Sequence, residues 1–270
     1  MPSSTAKAIA AICVILGSVW LACAGPIFAQ DDKARPVLDT LVAAYPDALA
    51  GHDDRALRWR DGTIMPVSDA AESKSFAQLL RRASILDQFR IPYPRGPLAK
   101  PPEVNADPGR FRNAAFFKKM YGDCEKGEVS RRLVPIVWLP KTWGKIVRIT
   151  SVNRVEEHLR RVSEEIDALP ENIKRTAYPI AGTYNCRAVV DTGQPSPHGY
   201  GIAIDLNTAF ADYWHWAAPG SAIVYRNRMP ERIVAIFEKH GFIWGGKWYH
   251  FDTMHFEYRP ELLATPASDD

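Results

Sequence analysis

No charge of one sign dominates this sequence. Lysine and arginine number 34 against 31 aspartates and glutamates, a formal net charge of +3, and so mild a balance argues against nucleic acid or another polyanion as partner. Internal repeats and low-complexity segments are also missing, which sets aside solenoid and linker-type architectures. Cysteine is scarce, with Cys13, Cys23, Cys124 and Cys186 making up the whole complement. What remains is ordinary for a soluble globular protein. The 270 residues are 46% hydrophobic and 24% charged, enough for a real core in one large or two modest domains.

Residues 8–25 form an apolar run behind Lys7 and ahead of Pro26-Ile-Phe-Ala29. The pattern predicts an export signal over 1–29 cleaved near Ala29, although Ile27 departs from the small-x-small rule. The run is also long enough to span a bilayer, so a retained anchor is the alternative. Cys23 follows Trp20-Leu21-Ala22, a poor match to a lipoprotein signal. Cleavage would leave no stable membrane insertion, a periplasmic or cell-envelope location, and two cysteines. Cys124 and Cys186 are then expected to form a disulfide, because oxidising compartments preserve such bonds. Two separately buried thiols are the alternative.

Residues 30–130 give turn chemistry and apolar spacing but no catalytic pattern, and their role stays open. Leu57 to Pro66 predicts a hairpin turning on Asp61-Gly62. Phe76, Leu79, Leu80, Ala83 and Leu86 recur at helical spacing. A linker-like, proline-rich run covers 91–102, and Asp107-Pro-Gly makes a turn before a helix at 110–120. His52, among polar neighbours, reads as a solvated loop residue.

From Leu133 the signals sharpen. Strands are predicted over 133–138 and 145–149. A helix follows, with Asn153 and Glu156 as a capping box, an apolar stripe of Val155, Leu159, Val162, Ile166 and Leu169, and Pro170 as its stop. Pro230 opens another helix that Gly241 closes. The cluster Tyr213-Trp-His-Trp216 reads as packed core in preference to a substrate wall. The residues 266–270 form a tail.

Two stretches carry the chemistry. Ser196-Pro-His198-Gly-Tyr-Gly-Ile-Ala-Ile-Asp205 holds a histidine and a carboxylate. Fully extended, the seven-residue step from His198 to Asp205 would span roughly 20 Å, so the chain must bend, and Gly199 and Gly201 permit it. Beyond Gly201, Ile202, Ile204 and Leu206 alternate with Ala203 and Asp205, as in a half-buried strand. In Trp244-Gly-Gly-Lys-Trp-Tyr-His-Phe-Asp252-Thr-Met-His255-Phe-Glu257, His255 and Glu257 alternate with Met254, Phe256 and Tyr258. Two imidazoles and one carboxylate suit zinc with its fourth position open. His250 is the rival ligand. His158 and His240 read as structural.

These motifs, S-x-H-x-x-G-x-A-x-D followed by G-F-x-W-G-G-x-W and D-x-M-H-F-E, resemble the VanY-like zinc D-alanyl-D-alanine carboxypeptidase and L-alanyl-D-glutamate endopeptidase family. The resemblance covers about Thr150 to Leu263. It implies an α+β hedgehog/DD-peptidase-like domain over 131–265, with a central antiparallel sheet and flanking helices, behind an N-terminal α+β extension. It also implies Zn2+ on His198, Asp205 and His255, Asp252 as catalytic carboxylate, where some relatives carry glutamate, and Arg187 as the substrate-binding arginine. Ser196, Glu257 and Trp248 are expected to support the site or wall the substrate, with Ser196 positioning its loop and Glu257 orienting His255. A rival general-base role for Glu257 stays open. The implied activity is hydrolysis of peptidoglycan stem peptides at an unspecified bond. The alternative is a zinc-containing peptidoglycan-binding protein without turnover.

Overall fold

The computed structural model describes residues 28–69, 73–218 and 220–264. Residues 1–27 of the expected export segment and the tail at 266–270 lie outside the described residues. Among those described, no helix is long and apolar enough to cross a membrane.

The chain opens with α1 (Phe28–Ala44), which packs Leu38 and Leu41 into the core and leads into an antiparallel sheet of β1 (Leu49–His52), β2 (Ala56–Trp59) and β3 (Ile64–Pro66). The predicted hairpin is β2–β3, but its loop is longer than two residues. Trp59 N–H donates to the Thr63 carbonyl at 2.9 Å, leaving Arg60, Asp61 and Gly62 between them, and Gly62 takes φ +83°, as a three-residue hairpin requires. β1 carried no clear signal. His52 is therefore a strand residue bonded through Nε2 to Asp39 at 2.9 Å, and not a solvated loop residue.

The helix α2 (Phe76–Arg82) starts on a Ser75–Gln78 capping box and ends earlier than its apolar spacing suggested, because Ala83 is extended. The proline-rich run after it is strapped down: Tyr93 donates its hydroxyl to Glu238 at 2.7 Å, and Lys247 donates to the Pro94 and Gly96 carbonyls. The next helix, α3 (Ala114–Tyr121), begins four residues later than predicted. Asn113 Oδ1 accepts the Phe116 N–H at 2.8 Å, so the cap sits at 113 and residues 107–112 stay non-helical. That displacement matters for the site.

The strands β4 (Leu133–Trp138) and β5 (Lys145–Thr150) pair in register from Leu133–Thr150 to Trp138–Lys145, as predicted. The helix α4 (Val155–Asp167) buries its whole apolar stripe, with Val155, Leu159, Val162 and Ile166 fully inaccessible. Each such side chain contributes about 1.5–3 kcal/mol. The predicted capping box is absent: Asn153 and Arg154 both adopt left-handed backbone, and no side chain caps the helix. Pro170 stops the run and leads into the single turn α5 (Glu171–Lys174).

The remainder comprises β6 (Ala203–Asp205), α6 (Glu231–Lys239), β7 (Phe242–Trp244), β8 (His255–Tyr258) and α7 (Pro260–Ala264). Here α6 starts after Pro230 as expected, with Ile233, Val234, Ile236 and Phe237 buried. β8 lies between β6 and β7, antiparallel to both. Among the described residues the result is mixed α and β with three small antiparallel sheets instead of one central sheet. β5 meets the site sheet through one backbone bond, from Thr150 N–H to the Gly201 carbonyl at 2.9 Å. One buried cluster draws residues from Leu38 to Tyr258.

Candidate metal centre and cleft

The pairing of β6 with β8 places Asp205 directly across from His255. His198 joins them from a 3-10 turn over Pro197–Tyr200, where Ser196 Oγ accepts the His198 N–H at 3.3 Å. Gly201 then turns the chain at φ +68°, and a Cβ there would sit 2.7 Å from Leu133 Cδ2, so the bend demands glycine. The strands differ from expectation in one respect: they are buried on both faces, the isoleucines toward the core and His255 and Glu257 under a cleft.

His198 Nε2 lies 3.1 Å from Asp205 Oδ1 and 3.2 Å from His255 Nδ1, and His255 Nδ1 lies 2.9 Å from Asp205 Oδ1. Ligands about 2.0–2.1 Å from a tetrahedral ion stand about 3.3 Å apart, so three atoms at these separations fit one face of such a shell. Each ring has its other nitrogen committed. His198 Nδ1 donates to the Thr183 carbonyl, and His255 Nε2 donates to Glu257 Oε2 at 3.0 Å. Both tautomers therefore turn a lone pair toward the shared point. His250 does not take part. Its Nδ1 binds Asp107 Oδ2 at 2.6 Å, which removes the rival ligand. His158 packs against the Tyr258 ring and His240 binds Glu165 at 2.7 Å, both away from the group.

Burial opposes ionisation of Asp205, but His198 and His255 override it and hold the carboxyl below its ordinary range. Burial likewise disfavours imidazolium at His255, yet its hydrogen bonds to the Asp205 and Glu257 carboxylates push its pKa up to about 10 without a metal. Asp252 goes the other way. Desolvation, then the charge of Asp205, lifts its pKa to about 7. A tight turn positions it, the Asp252 carbonyl accepting the His255 N–H at 3.2 Å, which answers how residues 252 and 255 come together. Its Oδ1 is buried and has no hydrogen-bond partner among the described residues.

The group opens into a cleft of about 320 Å³. Arg187 lines it from an exposed loop, and no hydrogen bond or ion pair engages its guanidinium among the described residues. The Cys124–Cys186 disulfide forms, with Cα atoms 5.7 Å apart. It anchors the residue before Arg187, and a Cβ on Gly199 would lie 3.3 Å from Cys124 Sγ, so the bridge also underlies the His198 turn. Trp248 is buried with its ring 5.6 Å from that of His255, while its edge reaches the cleft. Tyr213, Trp214 and His215 line the cleft and are only partly covered, and Trp216 is 56% exposed. The aromatic cluster is thus a wall and not packed core.

Three site residues come from the region that showed no chemistry in sequence. Arg112 donates to Glu257 through Nε at 3.1 Å and through Nη2. Asp107 is fully buried and accepts from both His250 and Arg110, the latter at 2.7 Å. Arg110 and Arg112 both lie over the Trp248 ring and line the cleft. Their only sequence signal was Arg110-Phe-Arg112 behind a turn, which the helix expected from residue 110 concealed.

Among known proteins, the family model described as D-alanyl-D-alanine carboxypeptidase matches residues 190–258. The match supports the family that the motifs resemble, and it spans His198, Asp205, Asp252, His255 and Glu257 while leaving out Arg187 and the whole of residues 30–130. No curated protein matches the chain.

Proposed function

From the match of residues 190–258 to the D-alanyl-D-alanine carboxypeptidase family, we propose that this chain is an exported zinc peptidase that hydrolyses stem peptides of peptidoglycan. The observation that carries the reading is the His198, Asp205 and His255 triangle beside the unpartnered Oδ1 of Asp252. Zinc bound there would act as a Lewis acid and lower the pKa of water toward 7.

The protein's own groups supply the rest. Asp252, with a pKa near 7 in its desolvated pocket, takes the proton of the attacking water and delivers it to the leaving amine, a role worth about 10²–10⁴ in rate. Glu257 holds His255 in the tautomer that offers Nδ1. Arg187 has its full fork free for a carboxylate or for charge developing on the scissile carbonyl. Tyr213, its pKa raised to about 12 chiefly by burial, stays protonated as a donor on the cleft wall.

Incubation of purified protein with muropeptides, with and without a chelator, tests this, with products identified by mass. Metal-dependent loss of a terminal D-alanine, or cleavage within the stem, is the expected result. Tight binding without products would make the protein a receptor on the same site.

A further inference from the structure

Arg110 is one of three arginines that line the cleft, with Arg187 and the Glu257-paired Arg112, and it comes from a segment that the family match does not reach. Three features fix it. Its Nη1 donates to Asp107, itself fully buried and locked by His250. Its guanidinium lies 5.8 Å from the centroid of the Trp248 ring, which is pinned by an Nε1–H bond to the Pro108 carbonyl. Its side chain is only 10% exposed, so its ordering is complete before any ligand arrives.

A guanidinium carries five N–H donors, and Asp107 uses a single nitrogen of Arg110. Among the described residues no other hydrogen bond engages that guanidinium, and Arg110 lines the cleft that holds Arg187, Asp252 and the ligand triangle. Arg187 reaches the same cleft from the disulfide-anchored loop. Two guanidinium forks with donors to spare in one cleft, one held by Asp107 and one on the loop that the disulfide anchors, exceed what a single terminal carboxylate needs. The nearby carboxylate Asp191 is already engaged by His215 at 2.9 Å.

We infer that Arg110 is a specificity-determining residue that binds a second substrate carboxylate, so that the cleft selects acidic peptides with an anionic side chain on the acyl side of the scissile bond in addition to the group held by Arg187. This rests on the peptidase reading and adds the substrate class. Asp107 sets the fork's orientation while neutralising part of its charge, which makes Arg110 a directional partner more than a general attractor.

The test uses acetylated peptides ending in D-alanyl-D-alanine, in pairs carrying glutamate or glutamine at the residue before that dipeptide or one residue further. A charge-assisted hydrogen bond is worth about 1.5–3 kcal/mol, so wild type should favour glutamate in one pair by roughly 10- to 150-fold in kcat/KM. Arg110→Gln should lose that factor on the glutamate peptide alone and treat both peptides alike, and Arg110→Lys should recover part of it. Equal preference for glutamate in wild type and Arg110→Gln would overturn the proposal, as would equal losses on both peptides. Calorimetric titration of the same pairs separates the two levels. If wild type cleaves nothing yet binds glutamate peptides in an Arg110-dependent way, the peptidase reading falls and the subsite stands. Equal binding of both peptides sinks the subsite.

Discussion

Arg112 and Glu257 stand 145 residues apart in sequence and form a two-point ion pair, and the same Glu257 carboxylate accepts the Nε2–H of His255 at 3.0 Å. Arg259 approaches the other carboxylate oxygen at 3.2 Å and continues through Glu261 to the hydroxyl of Tyr45. A buried chain of hydrogen bonds and ion pairs thus runs from Tyr45, the residue after α1, to the His255 ring. The region before residue 130 is built into the support of the site, whatever else it does.

That relationship predicts how Glu257→Gln should behave. The amide can still accept from His255 but no longer balances Arg112 and Arg259, both withdrawn from solvent. Removing one partner of a buried pair costs about 3–5 kcal/mol, and loss of a supporting carboxylate lowers metal affinity about 10- to 100-fold. Thermal unfolding and chelator competition should both register the change. Unaltered zinc affinity with a lowered Tm would confine Glu257 to a structural role.

How much of this was legible follows from the range of each interaction. The two motif stretches announced His198, Asp205 and His255 because glycine punctuation and strand alternation are local properties. The strands β4 and β5 and the stripe of α4 were equally plain. The capping box at Asn153 failed because Asn153 and Arg154 take left-handed backbone, a choice made by the turn out of β5. Arg110 and Arg112 stayed hidden because an arginine pair acquires meaning only when the fold brings Asp107, Trp248 and Glu257 against it. The Tyr213 to Trp216 cluster misled for the converse reason: aromatic composition is the same for a core and for a cleft wall.

Without metal, stability should depend on pH through His255. Its folded pKa is about 10 against an ordinary 6.5, so its contribution is fully present below 6.5 and is lost as pH rises toward 10. Asp205 and Glu257 are held below their ordinary range, so their contributions are complete above about pH 5 and do not vary across this window, whereas Asp252, raised from 3.8 to about 7, adds a loss of the same sign that is complete by about pH 8. The chelated protein should therefore lose Tm steadily between pH 6.5 and 10. Zinc-loaded protein, with the imidazole deprotonated throughout, should not show that slope. Parallel curves for the two forms would refute the coupling.

The disulfide closes a separation of 62 residues, for which the chain-entropy relation gives about 4 kcal/mol. The double variant Cys124→Ser with Cys186→Ser should lower the unfolding free energy by that order in denaturant titrations. It should also raise KM, because the bridge anchors the Arg187 segment and underlies the His198 turn. A stability loss with KM unchanged would limit the bridge to the fold.

Asp252→Asn separates base from ligand. The amide keeps the size of the side chain but cannot take a proton, so zinc should remain stoichiometric while kcat falls about 10²- to 10⁴-fold. Its removal also relieves repulsion with Asp205, the second cause of the raised pKa, so Tm at pH 8 should hold or rise. Loss of zinc would make Asp252 a ligand instead, and near-normal turnover would pass the base role to another group.

Arg187 decides between trimming a chain end and cutting inside a peptide. Its guanidinium is unengaged and its backbone follows directly on the disulfide, so a substrate carboxylate would meet a fork whose main chain is already placed. If it grips the terminal carboxylate of D-alanyl-D-alanine, Arg187→Lys should chiefly raise KM, because a point charge replaces a bidentate partner. Amidating the substrate's C-terminus should then harm the wild type far more than the variant. If Arg187 instead stabilises charge on the scissile carbonyl, kcat and kcat/KM fall together and amidation affects both proteins alike. Equal sensitivity to amidation would exclude the carboxylate clamp at Arg187, and cleavage within the stem peptide then becomes the expected activity.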